Sequence, residues 1–230
     1  MSYSVLLFDL DNTIFDAGAC DPAAFAYALE QCGVPDPDRY WGTYAEINDA
    51  LWAAVVRQEL TPNEVQDRRF AELAAAAQLD ADPDALAAEF VVGMGIKGGL
   101  YPGAREILSG LAEKATLALV TNGLGEVVRA RVDRLDLESL FSAIVISGEA
   151  GVSKPSAEIF DLVFEDLGAP PKEAALMIGD SLSSDIAGAT NYGIATCWYN
   201  PAGKPAPDGV SIDHVIGTLD ELPALVTGNA

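Results

Sequence analysis

Apolar residues along this chain fall into short unbroken runs that alternate with longer stretches of helical period. Runs at residues 4–8, 116–120, 143–146, 175–178, 195–198 and 214–216 are bounded by polar residues or glycine, the pattern of strands buried on both faces. Amphipathic patterns at 104–113, 125–136, 157–167 and 184–191 lie between them and predict crossover helices. Strands joined through helices pair in parallel, so the predicted fold class is α/β, a doubly wound, mostly parallel sheet.

The stretch 16–99 breaks this alternation. It has no strand pattern and is rich in Ala and Leu at helical spacing. Breakers at 33–37, then Thr61-Pro62 and Asp82-Pro83 as N-cap and first-turn pairs, divide it into four helices. The expected organisation is a core of residues 1–15 and 100–230 with a helical cap domain, 16–99, inserted after the first strand. Gly98, Gly99 and Pro102 form a turn-rich exit able to absorb hinge rotation.

Half of the 230 residues are hydrophobic and 21% are charged, a mixture that folds. The 13 basic and 35 acidic residues give a net charge of −22, which repels nucleic acid and anionic membranes, so neither is an expected partner. A small anion is also repelled at long range, so any phosphate site must supply local positive charge from a metal or a placed lysine. Cys20, Cys32 and Cys197 are scattered, which indicates neither a disulfide framework nor a zinc site and fits a reducing cytoplasm. The N-terminus has no basic segment ahead of its apolar run, and no run approaches the length of a membrane span, so a cytoplasmic location is expected.

Chemistry collects at the strand ends. Phe8-Asp9-Leu10-Asp11-Asn12-Thr13 places two carboxylates two residues apart, on one side of an extended chain. Two such charges raise one another's pKa or demand a cation, and oxygen ligands beside phosphate favour magnesium. A lone Asp after a strand is usually a loop carboxylate; the pair in its context is not. Val120-Thr121-Asn122-Gly123 offers a hydroxyl and backbone amides ahead of a helix, and alone would read as an ordinary turn. Ser153-Lys154-Pro155 places an ammonium in a chain poor in lysine, where a solvated surface lysine is the plain alternative. Gly179-Asp180-Ser181 and Asp185 bring further acid to a strand end, with Asp180 the better ligand candidate and Asp185 suited also to a helix N-terminus. In open α/β sheets these ends share one crevice.

DLDNT, TNG, SKP and GDSLSSD, in this order and spacing, resemble the four signature motifs of the haloacid dehalogenase-like superfamily. The resemblance implies that Asp9 is a nucleophile forming an aspartyl phosphate, and that Asp11 protonates the leaving oxygen and then activates water. It implies phosphate contacts from Leu10, Thr121, Asn122 and Lys154. It also implies a magnesium ion held by Asp9, the Asp11 carbonyl and Asp180, with Asp185 in support. The second carboxylate, Asp11, suits phosphate esters rather than carbon–halogen cleavage. A phosphomutase shares the core motifs, and a binding module could keep the fold without turnover.

Tyr44, Asn48, Leu51 and Trp52 share one helix face, where such a stripe is usually packing. Yet Tyr44 through Trp52, Arg68-Arg69-Phe70 and the run 194–200 are similar to the bacterial pyrimidine 5′-nucleotidases. That resemblance implies pyrimidine nucleoside monophosphates such as UMP, dUMP and dTMP as substrates, with Asn48 and Trp52 contacting the base. Other small phosphate monoesters, a sugar phosphate or phosphoglycolate, are the alternative, and a haloacid the remote one. A monomer or homodimer is expected. His214, without a motif partner, reads as structural, and Arg129, Arg131 and Arg134 as a solvated helix face.

Overall fold

The computed structural model describes residues 3–227. Strand β1 (Val5–Phe8) is followed by four helices, α1 (Ala17–Gln31), α2 (Asp38–Val56), α3 (Pro62–Ala77) and α4 (Pro83–Ile96). The chain then alternates through α5 (Ala104–Ala112), β2 (Thr116–Thr121), α6 (Gly125–Arg134), β3 (Ala143–Ile146), the single turn α7 (Ser147–Ala150), α8 (Ala157–Asp166) and β4 (Ala175–Gly179). It ends with α9 (Ala187–Tyr192), β5 (Ala195–Tyr199), β6 (His214–Ile216) and α10 (Leu222–Thr227). The strands expected from the apolar runs are therefore all present.

All pairings are parallel, in the order β3-β2-β1-β4-β5-β6. Strand β1 is central, with Leu7 opposite both Ala118 of β2 and Met177 of β4. Its alternate residues enter different layers. Leu6 and Phe8 pack with Leu108 of α5, Val128 of α6 and Leu222 of α10, whereas Val5 and Leu7 pack with Phe160 of α8 and Ala189 of α9. Leu6, Leu7 and Phe8 are wholly inaccessible, each contributing roughly 1.5–3 kcal/mol through burial. The chain order reverses direction at β1, and this switch leaves a crevice at the carboxyl ends of β1, β2 and β4.

The four helices of the insertion surround a core of their own built on Phe25, Tyr44, Phe70 and Phe90. The Tyr44 ring lies 4.5 Å from that of Phe25 and 5.4 Å from that of Phe70, so Tyr44 is a packing residue. Thr61 and Glu64 form a reciprocal capping box at the start of α3, and Asp82 caps α4, as the sequence signals indicated. Helices α1 and α4 approach closely at Gly93, where a Cβ would stand 3.0 Å from the Ala24 backbone. Gly98, at the exit of the insertion, has φ +69°, and a Cβ there would lie 2.6 Å from Cys20 Cβ. Among the described residues no helix is long and apolar enough to cross a membrane. His214 shares a hydrogen bond with the Tyr3 hydroxyl at 3.0 Å and meets its ring edge-on, in keeping with a structural role.

Candidate active site

The turn after β1 is wound about one carbonyl. Leu10 O accepts the N–H groups of Thr13, Ile14 and Phe15, while Asn12 takes a left-handed φ of +62° that asparagine tolerates better than most residues. The buried Leu10 side chain belongs to the core. Asp9 is held from both sides: Oδ1 accepts from Lys154 Nζ at 2.7 Å, and Oδ2 from Thr13 Oγ1 at 3.2 Å. Thr13 Oγ1 in turn accepts the Asp180 N–H at 3.1 Å, which ties the end of β4 to the end of β1.

Lys154 is fully buried, and its three protons have three acceptors: Asp9 Oδ1, Val120 O at 2.6 Å and Asp185 Oδ1 at 2.8 Å. The Asn122 side-chain amide exchanges two 2.8 Å bonds with the Lys154 backbone, so it fixes the lysine loop. Asp185 projects from a wide, π-type turn, Leu182–Ile186, and its Oδ2 accepts the Ser181 N–H at 2.9 Å. Gly179 is required beneath it, because a Cβ there would collide with the Asp185 carboxylate.

Oxygens of Asp9, Asp180 and Asp185 lie within 4.8 Å of one another. Burial, then Asp185 and Asp180, push Asp9 well above the usual carboxylate range despite Lys154. Burial and Asp185 raise Asp180 to about 7. Burial disfavours the Lys154 ammonium, but Asp185 and Asp9 outweigh that and push it up, so it stays charged. One lysine against three carboxylates leaves an excess of acid, and the three converging side chains offer oxygen donors. That charge and donor set fit a hard divalent cation such as magnesium. Thr121, nearly inaccessible, lines the same crevice with Asn122 and Ser181.

The Asp11 carboxylate is not part of this cluster. It turns toward α6, where Arg131 Nη1 donates to its Oδ1 at 2.7 Å. The expectation of a solvated arginine face is thereby corrected. Arg131 is 1% exposed, whereas Arg129, paired with Glu149, and Arg134, which donates to the carbonyls of Gly95, Lys97 and Gly98, are exposed. The signal was readable: Arg131 stands three and four residues after Val128 and Val127, on the buried side of α6. Thr13 was also within a quoted motif without being given a role.

A second cavity of about 250 Å³ continues from the crevice toward the insertion, sharing Asp11, Asn12, Asn122 and Trp52 with it. Asn48 and Trp52 both line it, as does Arg69, which lies 3% exposed over the Phe90 ring. Arg69, which the sequence offered only within Arg68-Arg69-Phe70 and without a role, and Asp21, which it did not single out, lie on the same wall.

Residues 3–193 match the haloacid dehalogenase-like hydrolase family. The pyrimidine 5′-nucleotidase YjjG of Escherichia coli is 30% identical over 98% of this chain and 99% of its own length. The pyrimidine 5′-nucleotidase PynA of Streptococcus pneumoniae is 33% identical over 87% of this chain and 85% of its own. The magnesium-bound crystal structure of the HAD-hydrolase YfnB from Bacillus subtilis superimposes with a TM-score of 0.89 at 32% identity, covering 98% of this chain and 99% of that one. A sheet whose strand ends converge on Asp9, Lys154 and Asp180, matched by relatives along nearly its whole length, makes this chain a phosphatase of the haloacid dehalogenase-like hydrolase family.

Proposed function

We propose that the chain hydrolyses the phosphate ester of pyrimidine nucleoside 5′-monophosphates, with Asp9 as nucleophile. The observation that carries this reading is the continuity of the two cavities: one holds the carboxylates and lysine suited to a phosphate, and the other adjoins it with polar groups and Trp52. The second is small beside ligand pockets of roughly 300–1,000 Å³, which favours one six-membered ring over a fused purine. Relatives named as pyrimidine nucleotidases support the same choice.

In the mechanism, Lys154, Thr121 and the backbone amides of Leu10 and Asn122 hold the phosphoryl oxygens. Asp9, Asp180 and the Asp11 carbonyl, with Asp185 behind them, would hold a magnesium ion, whose positive charge would let a carboxylate approach a phosphate dianion. An Asp9 oxygen forms a bond to phosphorus as the ester oxygen departs with a proton from Asp11. Asp11, now ionised, takes a proton from water, which attacks the aspartyl phosphate and releases inorganic phosphate and Asp9. Residues 16–99 act as a cap domain on a core of 1–15 and 100–230, excluding water when closed. The interdomain movement described for YfnB supports that role.

Initial rates on UMP, dUMP, dTMP, AMP, GMP, ribose 5-phosphate and phosphoglycolate test the reading. Pyrimidine nucleotides should lead purine nucleotides and the sugar phosphate by about tenfold or more in kcat/KM. Faster turnover of ribose 5-phosphate or phosphoglycolate would instead make the chain a sugar- or small-acid phosphatase.

A further inference from the structure

Two buried polar atoms among the described residues have no hydrogen-bond partner, Asp21 Oδ1 and Arg69 Nε. Both residues line the cavity beside the crevice. Unpaired buried polar groups destabilise a fold, so a coincidence of two on one cavity wall marks a place where something else pairs them. Asn48 adds a third free group. Its Oδ1 faces Arg69 Nη1 at 3.4 Å, and since an arginine only donates, the oxygen must be the atom on that side. Asn48 Nδ2 therefore points elsewhere, with no protein acceptor among the described residues. Arg69 is itself held in place over the Phe90 ring, 4.7 Å from its centroid, with Nη1 directed also at the Tyr44 hydroxyl at 3.4 Å.

The wall thus presents two donors, Arg69 Nε and Asn48 Nδ2, and one acceptor, Asp21 Oδ1. A uracil or thymine ring presents the complement: two carbonyl acceptors and the N3–H donor. Cytosine also offers two acceptors and one donor, but its N3 is an acceptor and its donor is the N4 amino group, so a carboxylate oxygen facing N3 meets a lone pair instead of an N–H. We infer that Asp21 and Arg69 determine base specificity, Asp21 by accepting the N3–H of a uracil or thymine ring and Arg69, with Asn48, by donating to its carbonyls. This inference rests on the nucleotidase reading and assigns residues to it.

The test pairs a change in the substrate with a change in the protein. UMP and 3-methyluridine 5′-monophosphate, which lacks the N3–H, are compared on wild type and on Asp21→Ala, with ribose 5-phosphate as the substrate without a base. Wild type should prefer UMP to the methylated nucleotide by about tenfold or more in kcat/KM, and Asp21→Ala should reduce that ratio to near one. A variant that merely disturbs the fold lowers both rates and leaves the ratio alone. If Asp21→Ala does not fold, Asp21→Leu fills the space without an acceptor and should reduce the same ratio. A wild-type ratio near one, or a ratio the variants do not change, overturns the inference while leaving the nucleotidase reading in place. UMP turned over no better than ribose 5-phosphate overturns both.

Discussion

Arg131 Nη1 lies 2.7 Å from Asp11 Oδ1, and the Nε of the same guanidinium donates to Met94 O of α4 at 2.9 Å. The group is buried, stacked 4.1 Å from the Phe15 ring centroid, and so has little freedom to release one partner without moving the other. A single cation couples the carboxylate proposed to carry the proton with the last turns of the insertion. In physical terms, the position of α4 and the direction of Asp11 are set together.

Replacing that cation should therefore affect rate as well as stability. Arg131→Met removes a buried donor from Asp11 and from Met94 O and should lower stability by ~2–4 kcal/mol. Misdirection of Asp11 should lower kcat on p-nitrophenyl phosphate by about 100-fold, with a smaller change in KM. Arg131→Lys, which keeps charge but cannot reach all its partners, should fall between the two. Lost stability with unchanged kcat would reduce Arg131 to a packing role.

Asp9→Asn keeps the shape of the side chain and removes its charge and nucleophilicity. Turnover should fall by about 1,000-fold or more on every phosphomonoester. The fold should persist, because Lys154 retains Asp185 and Val120 O as partners. Phosphate release measured beside far-ultraviolet circular dichroism separates the two effects, and retained activity would remove Asp9 from the mechanism.

Much of this organisation was legible in sequence because buried parallel strands read as plain apolar runs. The four strand-end motifs also carry residue types that strands seldom present there. Two of the inserted helices were readable from Thr61-Pro62 and Asp82-Pro83, whose capping chemistry is local. What escaped were polar residues on apolar faces. Asp21 lies four residues from both Ala17 and Phe25, Arg69 four from Val65 and Leu73, and Arg131 three from Val128, each in line with buried residues of its helix. A periodicity argument assigns such residues to neither face, since their partners come from other elements: Met94 and Asp11 for Arg131, Tyr44 and Asn48 for Arg69.

A magnesium ion at the proposed site would compete with protons for the same oxygens. Asp180 is raised to about 7 and Asp9 well above its ordinary value, by burial first and then by neighbouring carboxylates. The cation binds the ionised forms, so magnesium affinity should tighten as pH rises through about 7. The rise in Tm on adding magnesium should be small near about pH 5.5 and full near about pH 8. Chelation should abolish phosphate release, and magnesium should restore it. Titration calorimetry showing magnesium affinity independent of pH would dissociate the carboxylate cluster from metal binding.

Asp21 gives a prediction whose sign opposes that of an ordinary stabilising carboxylate. Burial raises it to about 6 from 3.8; Asp11 and Asp49 add to the rise, and Arg131 and Arg69 oppose it. The folded chain then holds a proton on Asp21 between about pH 4 and 6 that the unfolded chain has released, so this residue's contribution falls as pH rises through that window. The shift corresponds to ~3 kcal/mol, reduced to ~1–2 kcal/mol because the half-buried side chain is partly screened. Asp21→Asn removes the titration and should be more stable than wild type by that amount above about pH 6.5, with the two converging toward pH 4. Urea unfolding of both proteins across this range measures the difference directly, and contributions from Asp9 and Asp180 cancel because both chains carry them. A residue that is better replaced for stability yet needed for discrimination between UMP and its N3-methyl derivative is one retained for its ligand. Equal stability at all pH values would mean that the Asp21 carboxylate is solvated in the folded chain and lacks the unpaired oxygen on which its assigned role depends.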